Sequence, residues 1–127
     1  MNTPIEKMYG RYFNGLLGQN ENLIDAIPAI SEQVAEVQRQ DREGTLGLTN
    51  ERLLFVSLTG VAWHRYGLLA IRNAGSARIL LPGQSWLVLS LVESSDARFM
   101  VGKKQIGFLL PKLQAELKRA VQEHGPY

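Results

Sequence analysis

The sequence predicts an α+β domain that is mainly β: about seven short antiparallel strands closed by a C-terminal helix, with a helical extension in front. Three observations point to it. Residues 44–57 read as two strands folded on a tight turn at Thr49-Asn50-Glu51-Arg52. Apolar runs of strand length follow, separated by clusters of Gly, Pro, Ser and Asn. Near residue 108 the apolar period changes from that of a strand to that of a helix.

The extension comes first. Thr3 suits a cap, Pro4 the first helical position, and Glu6 completes a Thr-x-x-Glu capping box. Ile5, Met8, Tyr9, Tyr12, Phe13, Leu16 and Leu17 then recur at helical spacing, and Gly18 ends the pattern. Asn20 offers a second cap, before a short apolar face of Leu23, Ile24 and Ile27. Pro28 should stop that turn, because it lacks the amide hydrogen that a helix needs. Residues 29–40 fit either a helix, through Ile30, Val34 and Val37, or a strand at residues 34–37. A charged turn, Arg39-Gln40-Asp41-Arg42-Glu43, leads into Gly44.

Strand chemistry takes over from there. Leu46 and Leu48 alternate with Thr45, Gly47 and Thr49, the period of a half-buried strand. Leu53-Leu54-Phe55-Val56 is apolar on both faces, as a covered central strand would be. Asn50 tolerates the backbone of a tight hairpin. Residues 61–66 and 68–72 read as two strands separated by Gly67. Residues 73–76 read as a turn, and Pro82-Gly83-Gln84 as another. Residues 86–92 are the strongest β run, and Ser94-Ser95-Asp96 turns it into residues 97–101. At the end Leu110, Leu113, Leu117, Ala120 and Val121 share one helical face. Pro111 is best placed in a first turn, so regular helix is expected from residues 108–110.

Composition narrows the function classes. A chain of 127 residues suits one domain with one core, and 45% apolar with 20% charged residues is ordinary. There is no cysteine, which removes disulfides, thiolate catalysis and thiolate metal sites. No secretory leader is expected, nor any apolar run near the ~20 residues of a membrane span, so a soluble cytoplasmic protein is expected. The net charge of +2 points to no nucleic acid. Residues 1–60 carry five basic and eight acidic residues, a net −3; residues 61–127 carry nine and four, a net +5. That asymmetry fits two faces of one solvated domain or, more sharply, head-to-tail association of copies.

The hairpin residues Gly44, Leu46, Leu48, Thr49, Asn50, Arg52, Leu53, Leu54 and Phe55 resemble the Gly-x-Leu-x-Leu-Thr-[Asn/Asp]-x-Arg-Leu-Leu-Phe hairpin of bacterial pleckstrin-homology-like domains, the short YokE-type class. The resemblance implies a partly open barrel capped by the C-terminal helix over residues 32–123, with residues 1–31 as an N-terminal helical extension. It also implies a first strand at residues 34–38. The apolar stretch Ile79-Leu80-Leu81-Pro82 departs from the usual pattern and leaves the later strands open. Thr49 and Asn50 can fix their own turn, and Arg52 can pair with Glu51, Glu43 or a backbone carbonyl.

No catalytic or metal-ligating constellation is visible. His64 lies in a strand and His124 near the end, without ligand spacing, and no nucleotide or hydrolase fingerprint occurs. A non-enzymatic module without cofactor is expected, binding a protein partner or itself as a homo-oligomer. The candidate partner surface is Tyr9, Tyr12, Phe13 and Leu16, docked on the barrel of its own or a neighbouring subunit. The alternative is a peripheral membrane adaptor that binds anionic lipid headgroups through Arg39, Arg42, Lys103 and Lys104. The 39–43 loop is net neutral, and Lys103-Lys104 is a lone basic pair.

Overall fold

The computed structural model describes residue 13 and residues 15–32, 42–58 and 62–124. Seven strands run in the order β1 (Leu23–Ser31), β2 (Glu43–Thr49), β3 (Arg52–Ser57), β4 (Ala62–Gly67), β5 (Ile71–Arg78), β6 (Gln84–Leu91) and β7 (Ala97–Gly102). A single 3-10 turn, Leu68–Ala70, joins β4 to β5, and helix α1 (Lys103–His124) follows β7. The strands form one antiparallel sheet of order β4-β3-β2-β1-β7-β6-β5. It consists of two meanders, β1 to β4 and β5 to β7. They meet along a short seam where Ala29, Ile30 and Ser31 pair with Val101, Met100 and Phe99.

Alternation in the strands sends Leu46, Leu48, Leu53, Phe55, Leu87, Leu89, Phe99 and Val101 to one interior, all buried. Ile106, Leu109, Leu113, Leu117 and Ala120 of α1 close that interior at one end. Polar bonds tie the helix to both meanders. Lys112 Nζ lies 3.1 Å from Asp25 Oδ2 on β1, and Gln114 Nε2 donates to the Ala74 carbonyl on β5 at 2.9 Å.

Five expectations are corrected. The stretch from Leu23 to Ile27, expected as a short helix, belongs to β1, so residues 23–31 lie in the sheet and not in a helical extension. A register shift between Leu23 and Asp25 sends Leu23 and Ala26 to the outer face and Ile27 inward. Pro28 is tolerated because β1 pairs with β7 only from Ala29 onward, which makes its position edge-like. The strand expected at residues 34–38 lies outside the described residues. Residues 68–70 form the 3-10 turn and not a strand. Residues 73–76, expected as a turn from their polar types, pair instead with residues 87–90 of β6. Helix α1 starts at Lys103, well ahead of Pro111. Pro111 and Gly107 are both exposed, so the carbonyl that Pro111 leaves without a helical partner faces water. Val121, expected on the apolar face, is exposed, while Ile106 and Leu109 join that face.

Candidate interaction surfaces

The β2–β3 turn is densely bonded. Glu21, whose side chain is 1% exposed, accepts from Arg52 Nε at 2.8 Å and from Thr49 Oγ1 at 2.6 Å. Its other oxygen accepts from a second Arg52 nitrogen at 3.0 Å and from the Gly18 amide at 2.9 Å. Burial pushes the Glu21 carboxyl up, but the bonds from Arg52, Thr49 and Gly18, with the Arg52 charge, outweigh it and hold it below its ordinary range. The hydrogen bond to Glu21 raises Arg52 in turn, against its own desolvation. Arg52 also donates to the Leu16 carbonyl. Arg52 thus takes a backbone carbonyl, as expected, but its carboxylate is Glu21, 31 residues away. Asn50 binds the same segment, accepting from the Asn22 amide at 2.7 Å and donating to the Asn20 carbonyl at 3.1 Å. Arg119 of α1 donates to the Asn50 carbonyl at 2.6 Å. The turn therefore clasps both the segment ahead of β1 and helix α1.

That clasp seats Phe13 on the outer face of the sheet. Phe13 is 1% exposed and packs with Leu23, Ala26, Leu54 and Val56, flanked by Leu16 and Leu17. Gly47 makes the seat, because a Cβ there would stand 2.4 Å from Phe13 Cζ. Of the four residues expected to bind a partner, Phe13 and Leu16 thus contact their own sheet, and Tyr9 and Tyr12 lie outside the described residues. Farther along the same face is a groove of about 400 Å³, lined by Pro28, Ile30, Gly44, Leu58 and Met100 among others.

The β5–β6 hairpin is different in character. Its loop, Ile79-Leu80-Leu81-Pro82-Gly83, leaves Leu80 98% and Leu81 54% exposed. Gly83 supplies the turn with φ +75°. The Lys103 amide donates to the Gly83 carbonyl at 2.8 Å, which fastens the loop to the first residue of α1. Arg78, Lys103 and Lys104 are exposed around it.

The four residues expected at an anion site are divided. Lys103 and Lys104 sit beside the β5–β6 loop. Arg42 precedes β2, with its Nε buried and without a hydrogen-bond partner among the described residues. Arg39 lies outside the described residues. His64 is part of an aromatic cluster, stacked on Tyr66 at 5.9 Å and edge-on to Phe99 at 6.1 Å, with Nε2 3.3 Å from Ser31 Oγ. Desolvation there lowers its pKa. Among the described residues no group of three His, Cys, Asp or Glu could hold a metal ion. No described helix is long and apolar enough to cross a membrane. Asp25–Lys112 and Glu32–Arg98, the latter at 2.6 Å, neutralise part of the front-to-back charge asymmetry within the chain.

Two meanders of four and three strands, a short seam and a C-terminal helix across one end also describe solved structures. The Vps36 N-terminal PH domain superposes with a TM-score of 0.63 over 84% of this chain and 86% of that one, at 15% identity. The fold is pleckstrin-homology-like. The C-terminal domain of an unknown protein from Leishmania infantum shares it, with a TM-score of 0.66 over 89% of this chain and 97% of that chain, at 14% identity. At such identities the likeness speaks for the fold alone. No protein-family model and no curated protein matches the chain.

Proposed function

We propose that this chain is a cytoplasmic, non-enzymatic interaction module. Its docking surface is the outer face of the PH-like sheet, and its first occupant is its own N-terminal stripe. The observation that carries this is Phe13 seated over Gly47, with an apolar groove continuing beyond it. From Phe13 the chain runs toward the hairpin turn, since Leu16 bonds Arg52 and Gly18 lies by Glu51.

In this reading the stripe that includes Tyr9 and Tyr12 would take the groove of Pro28, Ile30 and Leu58. A partner helix, or the stripe of a second copy, would take the same groove by displacing this segment. The hairpin residues support placing the chain in the short YokE-type bacterial class as part of this reading.

Light scattering and amide exchange on the intact chain, beside a Tyr9→Ala/Tyr12→Ala variant, test it. The expected result is a monomer whose Thr45 and Val56 amides lose protection in the variant. A concentration-dependent dimer that the substitutions dissolve moves the docking to a second copy. Unchanged protection in a monomer would sink the reading. The alternative set of basic residues finds support at Lys103 and Lys104 only, beside the groove residues Gly102 and Gln105.

A further inference from the structure

We propose that copies of this chain associate head to tail along the β5–β6 hairpin. Leu80 and Leu81 at the tip of one copy sit in an apolar pocket at the base of the same hairpin in the next. Neither surface belongs to the outer-face groove, and the inference does not rest on it.

The tip is an apolar knob held in a fixed place. Leu80 is almost wholly exposed, and Leu81 and Pro82 extend the apolar surface. A leucine left in water contributes nothing to the fold. The Lys103 amide donates to the Gly83 carbonyl and Gln84 pairs with Gly102, so the loop is fastened at its base.

The socket lies at the other end of the hairpin. Tyr66, Leu69, Ala70, Leu91 and Val92, together with Glu93, line a pocket of about 420 Å³. That volume falls among pockets that hold ligands, roughly 300–1,000 Å³. Leu69 and Val92 are each about half exposed. The floor is built into the fold: Tyr66 stacks on His64 and meets Phe99 edge-on, and the Val92 amide donates to the Ala70 carbonyl at 3.0 Å. From Ile71 beside the pocket to Arg78 beside the tip, β5 spans about 23 Å. A copy's tip therefore cannot reach its own pocket.

Charge selects a second copy as the occupant. Glu93 and Asp96 are the only acidic residues between positions 52 and 115, and both stand in the exposed β6–β7 loop beside the pocket. Glu51 and Arg119 line a second hollow that shares Leu69, and Arg119 is already held by Glu116 and Glu123. The tip carries the opposite sign in Arg78, Lys103 and Lys104. Among the described residues no ion pair engages these three cations, Glu93 or Asp96. Knob and socket both lie within residues 66–104, so this is not the pairing of an acidic front with a basic back. A knob and a socket at opposite ends make a heterologous contact, which propagates or closes into a ring and does not stop at a two-fold dimer. The contact is small and belongs with weak interfaces, so dilute protein is monomeric and association sets in on the order of 0.1 mM.

Sedimentation velocity on the intact chain, from about 10 µM to about 1 mM, tests this with one variant at each end. Leu80→Asp spoils the tip and Val92→Lys blocks the pocket. Both positions are exposed, so both variants should melt like the wild type. The wild type should grow in mass steadily with concentration, and each variant alone should associate at least ~tenfold more weakly. An equimolar mixture of the two variants should form a dimer and stop there, because one keeps an intact pocket and the other an intact tip. A wild type that stays monomeric across the whole range overturns the proposal. So does association that survives either substitution, or that fails to return in the mixture. Association dissolved by Tyr9→Ala/Tyr12→Ala but by neither end variant belongs to the outer-face groove and likewise overturns it.

Discussion

The two hairpin ends of this sheet are built on opposite terms. At the β2–β3 turn, Thr49, Asn50 and Arg52 are polar, and each is bonded to another part of the chain. At the β5–β6 turn the loop residues are apolar, and Leu80 touches water over nearly its whole surface. The conspicuous turn in the sequence is thus consumed by the fold, while the inconspicuous one stays exposed. Polar residues at a turn mark function only when nothing inside the chain claims them.

The largest effect expected from breaking this contrast is at Glu21. Glu21→Ala leaves Arg52 and Thr49 without their acceptor and frees the segment that carries Phe13. A urea titration should show a loss of about 3 kcal/mol, the low end for breaking a buried pair, since Arg52 keeps some contact with solvent. Proton uptake gives a smaller effect with a definite sign. Because Glu21 is held below its ordinary value of 4.5, its contribution is present above that pH and lost as pH falls through the folded value. The stability gap between wild type and Glu21→Gln should therefore narrow as the pH is lowered from 6 to 3; a constant gap would show that the carboxylate's charge is idle. His64, lowered by burial, also disfavours the fold on acidification, starting near 6.5, but equally in both proteins. The smallest effect belongs to the other hairpin. Leu80→Asp should change the unfolding free energy from a urea titration by less than about 0.5 kcal/mol, and a larger loss would mean that the tip packs on the fold after all.

Much of this arrangement was legible in the chain. The alternation of Leu46 and Leu48, and the Thr49-Asn50 turn, specify β2 and β3 within a residue or two of their observed ends. The reading failed where a local pattern allowed two answers. Leu23, Ile24 and Ile27 satisfy a helical face as well as a strand with a register shift, and only pairing with β2 decides between them. The polar types at residues 73–76 signal a turn, but the β-rich stretch opposite them recruits them as a strand. Glu21 was invisible as a site because its partners lie 28 and 31 residues away, and no local spacing announces such a pair. The apolar stretch at 79–82 and the basic pair at 103–104 were each visible; their adjacency was not, since it depends on the register of β6 with β7.

The short seam between β1 and β7 sets the order in which the molecule should come apart. Among the described residues three strand pairs, with the Glu32–Arg98 ion pair just beyond them, join two meanders whose internal ladders are longer, so the sheet is a book with a narrow spine. Helix α1 reaches β1 through Lys112 and β5 through Gln114, one bond on each cover. It is the clasp that keeps the book shut, and a chain that lost both bonds, by Lys112→Ala with Gln114→Ala, would retain both covers while loosening the spine.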